Sequence, residues 1–131
     1  MIVLDTHAWI WFASNPEALS TRAEQAVRRA VSKRQACVSS ISVWEVALLA
    51  VSGRLQLTIN VRDWLVKCEA LPDFRFVPVD NLIASRSVFL PPPLHNDPTD
   101  RIIIATAQTM GAAVVTKDDK IRSYPHVETI W

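Results

Sequence analysis

The sequence predicts a three-layer α/β/α domain on a central parallel sheet of four to five strands, with residues 1–131 forming one unit. Three observations carry that expectation. Short apolar runs such as Ile2-Val3-Leu4 and Ala113-Val114-Val115 suit strands covered on both faces. Segments of helical periodicity separate these runs, as crossover connections between parallel strands require. At 131 residues, 50% hydrophobic and 21% charged, the chain can bury one core and is too short for two.

Met1 to Leu4 reads as the first strand. From Thr6 to Ala13, Trp9, Phe12 and Ala13 recur at helical spacing, and Asn15-Pro16 marks a turn and a new helix start. Thr21-Arg22-Ala23-Glu24 is a capping-box pattern, followed by an apolar stripe of Ala23, Ala26, Val27, Ala30 and Val31. Arg22, Arg28, Arg29 and Lys33 occupy the opposite, solvated face. Ala36 to Ser40 is the second strand, and Ile41 to Ser52 the helix after it, ended near Gly53. Asn60 caps a helix carrying Val61, Trp64, Leu65 and Cys68. Phe74 to Val79 is a third strand, and a short helix runs from Asp80 to about Phe89. Leu90-Pro91-Pro92-Pro93-Leu94 is an extended connector. Asp97-Pro98 starts a helix that reaches Gly111, Ala112 to Thr116 is the fourth strand, and Val127 to Ile130 a short fifth at an edge.

Several function classes fall away on composition. A net charge of +1 argues against nucleic-acid binding through one large basic face, though not against a nuclease that holds the scissile phosphate through metal ions. Gly53 and Gly111 are the only glycines, so neither a P-loop nor a dinucleotide fingerprint can be built. Cys37 and Cys68 lie in apolar segments without metal spacing and read as reduced core residues of a cytoplasmic protein. Neither a membrane span nor a basic leader region is expected. His7, His95 and His126 form no zinc spacing and are expected on the surface or in turns.

Four carboxylates stand out against that background. Asp5 is the only charged residue between Met1 and Pro16, and Glu45 the only one between Arg34 and Arg54. Asp100 opens the apolar stretch Ile102-Ile103-Ile104-Ala105, and Asp118 follows the strand that ends in Val114-Val115-Thr116. Right-handed crossovers place every strand's C-terminal end on one edge of the sheet. Asp5 and Asp118 follow strands one and four, Glu45 lies in the first turns of the helix after strand two, and Asp100 begins the helix that descends to strand four. If the order is 3-2-1 with strand four returning beside strand one, Asp5 and Asp118 flank the switch point.

Each acid also has an ordinary explanation. Asp5 can N-cap the helix from Thr6, Glu45 can close a capping box with Ser42, Asp97 and Asp100 can do so around Pro98, and Asp118 and Asp119 can cap a last turn. Taken singly, capping accounts for Asp97 and Asp119 and competes evenly with a functional role at Asp5 and Asp118. Glu45 and Asp100 share helix faces with apolar residues, so both are expected to point inward. A buried carboxylate costs several kcal/mol (roughly) unless paired, protonated or metal-bound. Oxygen-only ligands select a hard ion, Mg²⁺ or Mn²⁺.

The segments Leu4-Asp5-Thr6-His7, Ser39-Ser40-Ile41-Ser42-Val43-Trp44-Glu45, His95-Asn96-Asp97-Pro98-Thr99-Asp100-Arg101 and Val115-Thr116-Lys117-Asp118 resemble the four motifs of PIN domains. The match is closest to the VapC toxins of bacterial toxin–antitoxin pairs and covers essentially the whole chain. The resemblance implies a Mg²⁺-dependent endoribonuclease inhibited by a small VapB-like antitoxin, with RNA products bearing 5′-phosphate and 3′-hydroxyl ends. It also implies that Asp5, Glu45, Asp100 and Asp118 form the acidic quartet, with Thr116 as a supporting polar group. Asp97 stands as a substitute for Asp100 and Asp119 for Asp118; helix-face geometry favours Asp100, and the Thr-x-Asp spacing favours Asp118.

Trp9, Trp11, Phe12, Trp44 and Trp64 are many large apolar groups for a domain of this size. Trp9 and Phe12 are expected in the core and Trp11 on another side of its helix. The remainder should leave an apolar patch, suited to a homodimer and to a groove for an amphipathic antitoxin segment. Two other functions compete: a phospho-acceptor domain using Asp80 and Lys117, and a non-catalytic binding module with the same fold.

Overall fold

A computed structural model describes all residues, 1–131. Five strands form one parallel sheet in the order β3-β2-β1-β4-β5: β1 (Ile2–Leu4), β2 (Ala36–Ser39), β3 (Arg75–Val77), β4 (Ala113–Val115) and β5 (Thr129–Ile130). Leu4 is in register with Val38 on one side and Val115 on the other, so three C-terminal strand ends reach one edge together. The order reverses at β1 and β4, which creates the crevice there.

Alternation along each strand divides the core in two. Ile2, Leu4, Ala36, Val38 and Val115 face a layer made by α1 (Thr6–Ser14), α2 (Thr21–Ser32), α3 (Ser40–Val51) and α4 (Val61–Ala70). Val3, Cys37, Val77 and Val114 face the layer of α5 (Asn81–Val88), α6 (Pro98–Met110) and the short α7 (Asp119–Arg122). Trp9 is fully buried in the first layer, its ring centroid 5.0 Å from that of Trp64 and 5.6 Å from that of Phe76. Both cysteines are buried and free, and no helix is long and apolar enough to cross a membrane.

The local signals held with small shifts. Asn60 accepts the expected backbone bond at the start of α4, and Asp80, expected as the first residue of its helix, instead caps α5. The α2 cap is Ser20, one residue before the expected Thr21, because Ser20 takes the extended conformation and accepts from Ala23 N. Pro16–Ala18 forms only a 3₁₀ turn. The start of α3 at Ser40, capped by Ser39, puts Ser42 inside the helix, so the capping box of Ser42 with Glu45 does not form. Gly111 ends α6 with φ 63°. Gly111→Ala should therefore destabilise the fold by about 1 kcal/mol through left-handed backbone strain, read as a lower midpoint in urea.

The aromatic residues divide as follows. Trp9 and Trp64 are buried, and half-buried Phe12 packs edge-on against Phe74. Trp11 lies between His7 and Trp131 on another side of α1. Trp44 is 56% exposed, so the five do not all belong to the core.

Candidate active site

Five segments deliver side chains to one cavity of about 490 Å³ at the C-terminal edge of the sheet. Asp5, Thr6, His7 and Trp11 come from the β1–α1 junction, Trp44, Glu45, Leu48 and Leu49 from α3, and Arg54 from the turn after it. Asp97 and Asp100 come from the start of α6, and Lys117 and Asp118 from the turn after β4. The four acids predicted from sequence are thus brought to a single cavity.

Asp5 is the deepest of them, 8% exposed at the end of β1. Its Oδ1 accepts from Ala8 N at 2.8 Å, which caps α1, while Oδ2 accepts from the Thr116 hydroxyl. One carboxylate therefore does both jobs considered for it: it starts a helix and faces the cavity. Burial pushes its pKa up, partly offset by the bonds from Thr116 and Ala8, and the nearby Asp118 pushes it further. Thr116 is fully buried and relays position, since its Oγ1 also accepts from Asp118 N at 3.0 Å.

Asp118 caps α7 through Oδ1, which accepts from Lys120 N at 2.8 Å. Asp119 is exposed, 3.7 Å from Arg122, and does not line the cavity. On α6, Asp97 is exposed and its Oδ1 accepts from Asp100 N at 3.0 Å, the capping role expected of it. Asp100 is half-buried, and its Oδ2 sits 2.7 Å from His95 Nε2. Its carboxyl is raised to about 6, chiefly by burial, with the His95 bond opposing and the charges of Asp97 and Asp118 adding to the rise.

Glu45 is half-buried, shallower than its helix face suggested, because α3 lies at the margin of its layer with Trp44 and Leu48 open to solvent. It reaches the cavity from the wall formed by α3, which the Thr6 hydroxyl ties to α1 by donating to Ser42 Oγ at 2.9 Å. The acids share a cavity without closing into a cage: no three Asp, Glu or His side chains converge tightly enough to coordinate one ion as they stand. Both oxygens of Asp5 and Oδ2 of Asp100 are committed to internal hydrogen bonds.

The donor set nonetheless fits a hard divalent cation. Every acidic donor is a carboxylate oxygen, and burial, with neighbouring acids adding to it, makes Asp5 and Asp100 both hold protons more tightly than free carboxylates do. His95, expected on the surface or in a turn, lies in the connector before α6 and stands against Asp100, only 20% of its side chain exposed. Arg54 on the cavity wall escaped sequence reasoning, since an isolated cation carries no periodic signal, and Lys117, considered there only as the lysine of a phospho-acceptor pair, lines the same wall. Asp80 accepts from Ile83 N as the cap of α5 and is absent from the cavity wall that carries Lys117, so the acceptor–lysine pair of a phospho-acceptor domain is not assembled.

Residues 2–127 match the sequence profile of the PIN domain. Ribonuclease VapC22 of Mycobacterium tuberculosis is 37% identical over 132 aligned residues, covering 99% of this chain and 98% of that protein. Among solved structures, VapBC2 from Rickettsia felis bound to a promoter DNA fragment superposes with a TM-score of 0.70 at 14% identity, over 98% of this chain and 97% of that one. FitAcB from Neisseria gonorrhoeae gives 0.67 at 21% identity, covering 98% and 96%. A toxin–antitoxin complex from Klebsiella pneumoniae gives 0.65 at 24% identity, covering 97% and 95%. At those identities the structures speak for the fold alone; the full-length sequence match speaks for descent. The chain belongs to the PIN-domain family and, within it, to the VapC proteins.

Proposed function

We propose that this protein is a Mg²⁺-dependent endoribonuclease, the toxin of a type II toxin–antitoxin pair, acting in the cytoplasm as one 131-residue domain. The observation that carries the reading is the convergence of Asp5, Glu45, Asp100 and Asp118 on one cavity at the switch point of the sheet. RNA as the substrate is supported by the relative named ribonuclease VapC22.

In this reading the four carboxylates hold Mg²⁺, or Mn²⁺ in its place. A hard divalent ion bound there supplies an activated water and neutralises charge on the phosphate. Thr116 keeps Asp5 oriented and favours its ionised form by donating to Oδ2. Arg54 and Lys117 on the cavity wall offer cationic donors to flanking phosphates, which position RNA without reading its sequence.

The partner reading rests on surface chemistry beside the acids. Trp44, Leu48 and Val51 are exposed at i, i+4 and i+7 of α3, and the first two also line the acidic cavity. A VapB-like antitoxin segment that is amphipathic and carries an Arg or Lys would cover the ridge and pair with the carboxylates, competing with the cation. Leu82, Val88 and Phe89 leave further apolar area on and just after α5, which a second copy would bury in a homodimer. VapBC complexes among the structures of the same fold support such a partner.

Total RNA incubated with the purified protein should be cut with Mg²⁺ and left intact with EDTA, and the products should carry 5′-phosphate and 3′-hydroxyl ends. Cleavage that persists in EDTA, or a 2′,3′-cyclic phosphate end, overturns water attack assisted by metal. Absence of both Mg²⁺ binding and cleavage favours the non-catalytic binding module.

A further inference from the structure

The connector from Leu90 to Asp97 is far more constrained than its proline content suggests. Leu90 is buried, and the Tyr124 hydroxyl donates to Pro91 O at 2.8 Å. Arg101, one residue past Asp100 on α6, spreads its guanidinium over three backbone carbonyls. Nε donates to Ser87 O at 2.9 Å, Nη2 to Val88 O at 3.2 Å and Nη1 to His95 O at 3.1 Å. The first two belong to the last turn of α5, whose carbonyls have no helical partners. The third fixes the backbone of His95. A planar fork with donors in fixed directions can lace two segments together in this way; a lysine cannot.

The side chain of His95 is thereby held against Asp100, Nε2 to Oδ2 at 2.7 Å. Its other nitrogen, Nδ1, is buried with no hydrogen-bond partner. That environment suits the tautomer with the proton on Nε2, because a bare Nδ1 acceptor is cheaper to bury than an orphaned N–H donor. His95 then donates to Oδ2, and the remaining lone pairs of Asp100 are left to the cavity that it lines together with Asp5, Glu45 and Asp118. Asp97 differs from Asp100 in being exposed, with its Oδ1 accepting from Asp100 N.

We infer that His95 is a positioning residue, which orients the Asp100 carboxylate for a divalent cation, and that Arg101 is the strut that holds His95 in place. This rests on the reading of the acidic cavity as a metal site. It assigns the conspicuous His-x-x-x-x-Asp-Arg run a mechanical purpose: residue 95 sets the carboxylate, residue 101 sets residue 95.

Calorimetric titration of the full chain with Mn²⁺ tests it, using two replacements that separate hydrogen bonding from bulk. His95→Gln keeps an N–H donor near the Nε2 position and loses the ring; His95→Phe keeps the ring and loses the donor. Mn²⁺ affinity should fall by about 10-fold or more in His95→Phe and stay within about 3-fold of wild type in His95→Gln, as for other residues that orient metal ligands. Arg101→Lys should weaken Mn²⁺ binding with His95 intact. Melting temperatures of the metal-free proteins identify any variant that fails to fold, and the surviving variants carry the comparison. Equal affinities for wild type and His95→Phe, or a weaker Gln than Phe variant, overturn the assignment. Asp100→Asn is the control: if it loses Mn²⁺ while His95→Phe does not, only the positioning role falls, whereas a wild type that binds no Mn²⁺ removes the metal site itself.

Discussion

Asp100→Asn should lower RNA cleavage by on the order of a thousandfold, because losing one carboxylate charge from the cation site forfeits several kcal/mol (roughly) of transition-state stabilisation. Asp5→Asn should act alike, and loss of Thr116's acceptor at Oδ2 adds to it. Neither change removes core volume, so the fold should survive. In the metal-free protein the Asn variants should even melt higher at pH 7, since each removes a carboxylate that burial holds in an unfavourable place. The sign follows from Asp100: its folded carboxyl is raised to about 6 from 3.8. The stability it contributes is present in full below the lower value and is lost as pH rises through the higher one. The advantage of Asp100→Asn should therefore appear at pH 7 and disappear near pH 4. Added Mg²⁺ should reverse the order, stabilising the wild type and not the variants. By contrast, Asp119→Asn should be mild, because that side chain is exposed and off the cavity wall. Gel cleavage assays and melting curves with and without Mg²⁺ read all of this. A dead Asp97→Asn beside an active Asp100→Asn would reverse the assignment within α6.

The convergence of the acids was readable because it depends on topology, and topology on patterns that short-range physics imposes. Apolar runs such as Ile2-Val3-Leu4, set between segments of helical period, suit strands covered on both faces, and right-handed crossovers then send Asp5, Glu45, Asp100 and Asp118 to one edge. The order β3-β2-β1-β4-β5 agrees with the one assumed for that argument. Four caps were readable for the same local reason: Asp5, Asn60, Asp97 and Asp118 each accept a backbone N–H at a helix start, whereas Ser20 and Ser39 cap where Thr21 and Ser42 were expected.

Depth and partnership were not readable. Asp5 and Glu45 look alike in sequence, each a lone charge in an apolar run, yet Asp5 is sealed under Thr116 and Ala8 while Glu45 stands on an open helix margin. How far each sits from solvent depends on which helices overhang it, a property of the layers and not of the run. His95 escaped for another reason. Its role depends on the path of the connector back onto α6, and that path is set by Arg101 bonding to the carbonyls of Val88 and of His95 itself and by Tyr124 bonding to that of Pro91. Backbone carbonyls are the same in every residue, so such bonds leave no trace in composition or period.

Trp44→Asp should weaken capture of the antitoxin by about 30-fold or more, the range expected when a central aromatic anchor is lost from a protein interface. At 56% exposure, Trp44 costs solvation in the isolated protein and contributes little packing. Leu48, one turn later, is 50% exposed, and Val51 continues the ridge at 82%. Trp44 and Leu48 also line the cavity that holds Asp5, Glu45, Asp100 and Asp118, so one ligand touching both surfaces must be apolar on one side and cationic at one point. An amphipathic peptide with an Arg or Lys meets both demands, and the apolar ridge holds it while the cation offsets the carboxylates. Replacing Trp44 by Asp removes the anchor and adds an anion that a basic residue could still approach, so apolar contact is the part of the interaction the variant tests. Because the substituted side chain is exposed and not part of the core, melting of the isolated protein should move little. RNA cleavage by the variant in the presence of the antitoxin should persist where the wild type is silenced. Sedimentation and calorimetry with a VapB-like antitoxin decide the outcome: undiminished binding by Trp44→Asp removes the ridge from the interface, and a wild type that ignores the antitoxin ends the partner model.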